Sequence, residues 1–233
     1  MGFWRYSKLA YLRNLRIVLP IGALLIIIDM WSALLGGALW PIDLLAAAAL
    51  QSLALYIFHY DILYVERPPN SLFSLSNPTL KTFYLRYCAV AGVPIATLYV
   101  VGELLVEDTP PVLFATYALA TLAAFAFTIF IGTVFPAVVA AGDTSFKRAV
   151  ARGQTAWKSL FALSFAGPLV ILLPLATLLG IYSLIAGGPI VDGEINFFGL
   201  IGSVVGSFGF LFVSALFAGV FSQVYCDIDG APG

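Results

Sequence analysis

Six stretches of predominantly apolar residues run through the chain, at 17–35, 42–64, 83–105, 112–140, 160–184 and 197–226. Each is long enough to cross a hydrocarbon core, which takes about 20 residues at about 1.5 Å of helix rise per residue. The runs are continuous and lack the period-two alternation of a membrane β-barrel, so helices, which satisfy their own backbone groups, are the expected elements. A soluble globule is excluded by supply of polar surface: of 233 residues, 61% are hydrophobic and only 10% charged, with a mean hydropathy of +1.01. The sequence therefore predicts one all-α transmembrane domain over 1–233, with the fourth and sixth spans long enough to tilt or to extend into the interface.

Charge placement orients this bundle, because Lys and Arg are retained in short cytoplasmic loops. Arg5, Lys8, Arg13 and Arg16 precede the first span or begin it. Arg67, Lys81 and Arg86 lie around the loop between spans two and three, and Lys147, Arg148, Arg152 and Lys158 lie between four and five; these are all eleven basic residues. The opposite loops hold Glu103, Glu107, Asp108, Asp192 and Glu194 and no cation. Both termini are expected on the cytoplasmic side of a cell inner membrane. The basic N-terminal segment reads as the lead into a retained first helix, since no A-x-A cleavage site follows, and Tyr6 breaks the myristoylation pattern. A net charge of −1 argues against nucleic acid as a partner. Cys88 and Cys226 fall at cytoplasmic helix ends and are expected as free thiols.

Pro20, Pro94 and Pro168 recur every 74 residues, each early in an odd-numbered span. Three helical hairpins, each led in by a cytoplasmic amphipathic segment, and a chance spacing of prolines both account for this. The lead-in DTSFKRAVARGQTAWKSLFAL (143–163) alternates Phe146, Val150, Ala151 and Trp157 with Lys147, Arg148, Arg152 and Lys158, as a helix lying in the headgroup plane does. Asp143 or Thr144 is the expected cap. Its counterpart SNPTLKTFYLRY (76–87) enters at Pro78, and the loop ERPPNSLFSLSNP (66–78) is Pro-, Ser- and Asn-rich.

Gly142, Asp143, Ser145, Ala149, Trp157 and Lys158, together with Tyr225 and Asp227 at the end of the last span, carry a resemblance. Over 142–229 the chain resembles the polytopic membrane domain found beside some glycerophosphodiester phosphodiesterases and in related stand-alone bacterial inner-membrane proteins. It departs at Gly153, Gln154 and Thr155, where a serine–tryptophan pair would be looked for. It departs again where Ile228, Asp229 and Gly230 follow Asp227 in place of a basic residue. The resemblance implies a membrane-embedded helical domain linked to lipids or envelope upkeep, with no hydrolytic chemistry carried over.

Ionisable groups at membrane depth are candidates for function because burying them costs several kcal/mol. Asp29 lies roughly 18 Å along the first span, and it reads either as a ligand for a cation, proton or amine or as a hydrogen-bonded structural acid. With Gln51, the mid-membrane amide of span two, and Glu103 it forms the candidate intramembrane polar site. Asp43 sits where an acid complements a helix N-terminus. His59 is expected as a satisfied interfacial histidine paired with Asp61, and Tyr56, Tyr60 and Tyr64 as an aromatic anchor at headgroup depth. Gly199, Gly202, Gly206 and Gly209, with Ser203 and Ser207 alongside, make a face for close helix packing, within the chain or against a partner. No metal-ligand set, cofactor motif or catalytic motif occurs. The expected function is a non-enzymatic membrane protein interacting with lipids, other membrane proteins or a second copy. Anionic headgroups would meet Arg13, Arg16, Lys147, Arg148, Arg152 and Lys158. The alternative is a small transporter or channel using Asp29 and neighbouring polar groups; an enzyme acting on lipids has only the acidic residues in its favour.

Overall fold

The computed structural model describes residues 2–35, 40–64, 77–104, 123, 126–191 and 193–230, with 40, 41, 93–104, 180 and 183 described by backbone alone. Helices α1 (Gly2–Arg13), α2 (Leu15–Leu34), α3 (Trp40–Tyr64), α4 (Pro78–Leu104) and α5 (Ala126–Val139) come first. They are followed by α6 (Phe146–Thr155), α7 (Trp157–Ser164), α8 (Val170–Ala186) and α9 (Phe197–Asp229). Between α8 and α9 the two-residue strands β1 (Ile190–Val191) and β2 (Glu194–Ile195) pair antiparallel, Ile190 opposite Ile195. The expectation from sequence contained no strand there.

The protein is all-α in character, and among the described residues four stretches are long and apolar enough to cross a membrane: Leu15–Leu34, Ile42–Tyr64, Trp157–Ala186 and Phe197–Asp229. Their outward faces are as apolar as their inward ones. On α8, Leu178 is 66% and Leu184 is 87% exposed. A helix that stays apolar where it is exposed is matched to lipid rather than water. The first part of the 112–140 span, the 65–76 loop with Arg67, and Glu107, Asp108 and Asp192 lie outside the described residues. The side chains of Pro94 and Glu103 do too.

The backbone absorbs Pro20 and Pro168 in different ways. Pro20 is carried within a continuous α2. Around Pro168 the chain instead widens into a π-helical turn, Phe165–Leu169, because proline cannot donate to the helical ladder. The Ala166 carbonyl of that turn accepts the indole N–H of Trp4 at 3.2 Å. Gly167 beside it leaves room for the Phe3 ring, which a Cβ there would strike. The basic N-terminal segment is thus a helix docked by its aromatic residues on this π-helical turn.

A chain of contacts gathers one end of the bundle. Arg13 pairs with Asp61 at 3.1 Å, the Tyr64 hydroxyl donates to the Val139 carbonyl at 3.4 Å, the Arg86 guanidinium lies 4.5 Å from the Phe146 ring, and Arg148 pairs with Asp229 at 3.0 Å. The ends of α3, α5 and α9 therefore meet the starts of α2 and α6. The core, including Phe58, Phe83, Phe135, Leu160 and Phe221, fills the half of the molecule nearest this basic end.

Candidate functional site

Three helices with little polar content place what they have on one cleft. Asp29 and Leu25 come from α2 and Gln51 from α3. Ser203, Gly206, Ser207, Phe210, Leu211 and Ser214 come from α9; together they line a cavity of ≈ 360 Å³. The spacing on α9 explains its share: 203, 206, 207, 210 and 214 follow the i, i+3, i+4, i+7 rule that puts residues on one helix face. Two of the three residues expected at an intramembrane polar site, Asp29 and Gln51, are thus brought together. The side chain of the third, Glu103, lies outside the described residues.

The hydrogen bonds inside the cleft decide what it has left to offer. The Ser203 hydroxyl donates to Asp29 Oδ2 in a short contact, and no ion pair to Asp29 is found among the described residues. Gln51 Oε1 accepts from the Tyr87 hydroxyl of α4 at 2.7 Å, the interhelical bond expected of a mid-membrane amide. Its NH₂ group remains as a donor. Ser214 donates to the Phe210 carbonyl at 2.9 Å, which leaves its oxygen lone pairs open.

Asp29 and Ser203 also border a second cavity of ≈ 270 Å³, whose other walls include Tyr182 and the Gly187–Gly188–Pro189 turn. The packing face of glycines sits here and is turned inward. A Cβ at Gly199 would collide with the Gly188 carbonyl, one at Gly202 would come 3.0 Å from the Tyr182 ring, and one at Gly209 would lie 2.6 Å from Leu175. Gly199, Gly202 and Gly209 therefore let α8 and its turn close on α9. Gly206 has looser surroundings and faces the first cavity.

The basic end is built differently from its expectation in four respects. First, Arg152 is buried, 1% exposed, and is committed inside the protein. It binds Asp229 at 2.6 Å, donates to the Asp143 carbonyl at 3.1 Å and lies 5.1 Å from the Tyr225 ring centroid. It has no surface left for a lipid headgroup. Arg13 and Arg148 are also paired, with Asp61 and Asp229, whereas Arg16, Lys147 and Lys158 are exposed and carry no ion pair among the described residues.

Second, Ser145 caps α6, accepting from the Arg148 N–H at 3.2 Å. Asp143 instead accepts from the Ser145 N–H at 2.9 Å, and this bond leads the causes holding its carboxyl below the usual range. Third, His59 does not meet Asp61. Its Nδ1 shares a 2.8 Å hydrogen bond with the Ser222 hydroxyl, and Asp61 instead accepts from Arg13 and, at 2.9 Å, from Asn14.

Fourth, Tyr56 is core, edge-on to Phe83, and only Tyr60 and Tyr64 of that stripe remain half-buried near the rim. The His59–Ser222 pair does not make a nucleophilic dyad. His59 is fully buried beside Phe83 and Phe135, and its Nε2 has no partner among the described residues. An imidazolium formed by taking the serine proton would leave that N–H unsatisfied among aromatic rings.

Cys88 and Cys226 are free and half-buried, and Asp43 lies in the first turn of α3 as expected. Among the described residues no three His, Cys, Asp or Glu side chains form a metal-binding group. No protein-family model, curated protein or solved structure matches the chain.

Proposed function

We propose that this is a six-pass membrane protein of three hairpins that binds a small polar solute in the cleft between α2, α3 and α9, as a transporter or binding component rather than an enzyme. Both termini face the cytoplasm in this reading, and the membrane is the cell's inner membrane. One observation carries it: Asp29, Gln51 and three serines from three helices converge on one cavity, in helices that are otherwise apolar. Polar groups spent at that depth without a purely internal network are the mark of a solute path. The segregation of basic residues at one end supports the orientation.

The headgroup reading keeps a narrower base. Arg16, Lys147 and Lys158 are exposed, and each cation near an anionic leaflet adds about 1 kcal/mol of attraction. That suits seating the protein in its membrane, and it fits the resemblance of 142–229 to a lipid-associated membrane domain. It assigns no task to the cleft.

Accessibility tests the cleft directly. In a protein with Cys88 and Cys226 replaced by alanine, a Ser207→Cys thiol should react with a membrane-impermeant methanethiosulfonate at least about tenfold faster than a Leu178→Cys thiol. The reason is that only a wetted thiol ionises readily. Equal, slow rates at both positions in sealed vesicles and in opened ones would remove this function.

A further inference from the structure

We infer that the cleft takes a primary ammonium group, with Asp29 as its counter-ion; this rests on the solute-binding reading above and names the chemistry of its ligand. Among the described residues the lining contains a single acid, Asp29, and no Lys, Arg or His. An anionic ligand would meet repulsion there with no compensating cation. A calcium ion, which takes about six to eight oxygen ligands, is poorly served too, since the described lining offers one carboxylate.

An ammonium head needs three acceptors and offers three donors. Asp29 has Oδ1 uncommitted, its other oxygen being held by Ser203. The oxygens of Ser203 and Ser214 have already donated their protons elsewhere and present lone pairs only, and Ser207 adds a third hydroxyl. The acceptors thus outnumber the donors, as a cation requires.

The rest of the lining describes the rest of the ligand. Gln51, its carbonyl taken by Tyr87, has only its NH₂ to give and matches an acceptor on the same molecule. Leu25, Leu211 and the 42%-exposed Phe210 provide an apolar wall for a short carbon chain, and an aromatic face attracts a cation. Asp29 and Ser203 line both cavities, so the proposed counter-ion also borders the space beside the Gly187–Pro189 turn.

The amine can come from a free small molecule or from a phosphatidylethanolamine headgroup, and one labelling experiment separates these sources. Ser207→Cys protein in phosphatidylcholine nanodiscs is reacted with neutral methyl methanethiosulfonate, with and without n-butylammonium chloride or butan-1-ol. Butylammonium should slow labelling at least fivefold and butan-1-ol should not, and Asp29→Asn should abolish the protection. Protection already present in phosphatidylethanolamine nanodiscs without added amine identifies the lipid as the source, and its absence there identifies the free amine. Equal protection by butan-1-ol, or butylammonium protection that persists in Asp29→Asn, overturns the ammonium assignment. So does a reactive Ser207→Cys that neither amine source protects, and this last result leaves the solute-binding cleft standing. Should Asp29→Asn not fold, the comparison of butylammonium with butan-1-ol on the Ser207→Cys protein alone decides the matter.

Discussion

Arg152→Ala should cost roughly 1.5–3 kcal/mol of stability, as loss of buried hydrogen bonds to a charged group does. The Asp229 side chain, 16% exposed, would lose its closest partner at 2.6 Å and keep Arg148 alone; the Asp143 carbonyl would lose its donor and the Tyr225 ring its cation. The neighbouring exposed Lys147→Ala should stay within about 0.5 kcal/mol of the parent, because it removes no buried partner. Apparent melting temperatures of the two variants in the same detergent make the comparison. A double variant, Arg152→Met with Asp229→Leu, should recover much of the loss, since an apolar pair of similar volume leaves no stranded charge. If Arg152→Ala melts with the parent, or the double variant melts below the single one, the buried pair is not what holds α6 to the end of α9.

Gly199→Ala is the second large effect. A methyl group at this position would overlap the Gly188 carbonyl, which is backbone and cannot rotate out of the way. Overpacking of this kind costs about 1–3 kcal/mol, and a backbone obstacle puts Gly199 at the upper end. Gly206→Ala, although in the same stripe, should be nearly neutral, because its added carbon would sit 3.4 Å from a Leu179 methyl, an ordinary contact. The pair discriminates a tight intrachain fit from a generic preference for small residues. The idea is lost if both variants melt alike. Since the Gly187–Pro189 turn walls the second cavity, Gly199→Ala should also change the labelling rate at Ser207→Cys, whereas Gly206→Ala tests the cleft volume alone.

Helix extents were the most legible part of the fold, because hydrophobic length is written directly into sequence. The spans expected at 17–35, 42–64 and 197–226 correspond to Leu15–Leu34, Trp40–Tyr64 and Phe197–Asp229. The span at 160–184 corresponds to Trp157–Ala186, but the π-helical turn inside it was invisible, since Pro168 dictates a lost donor and not how the backbone absorbs the loss. Two errors had signals that could have been read. His59 and Asp61 are two apart on a helix and so point about 200° from each other around its axis. Arg152 lies on the stripe Ala149, Arg152, Gly153, Ala156, whose other members are small; a large cation amid small residues on one face was the sign of an internal partner. At the candidate site, Asp29 and Gln51 stood out by being polar at depth. The α9 serines did not, because Ser203 and Ser207 looked like part of a packing stripe and Ser214 belonged to no pattern until α9 was rotated against α2 and α3.

The resemblance motif also acquires a physical content within the described residues. Gly142 gives way to the Tyr225 hydroxyl, 2.5 Å from where a Cβ would sit; Ser145 caps α6; Ala149 is fully buried. Asp229, not Asp227, is the acid that receives the arginines. Gly142, Ser145 and Ala149 thus help to seat α6 against the end of α9.

The first apolar hairpin carries its own fastening. Asp61, near the end of α3, is held by Arg13 and Asn14 at the junction that begins α2, so the hairpin can latch as soon as α3 has left the ribosome and entered the bilayer. The start of α1 closes later. Its aromatic residues rest on Ala166 and Gly167, 162 positions later for the Trp4 bond, and its Ser7 packs against Gly219. Those contacts cannot all form until α9 has been made. Assembly therefore has a built-in order, with an early latch where the end of α1 meets residue 61 and a late closure of the first residues of the chain.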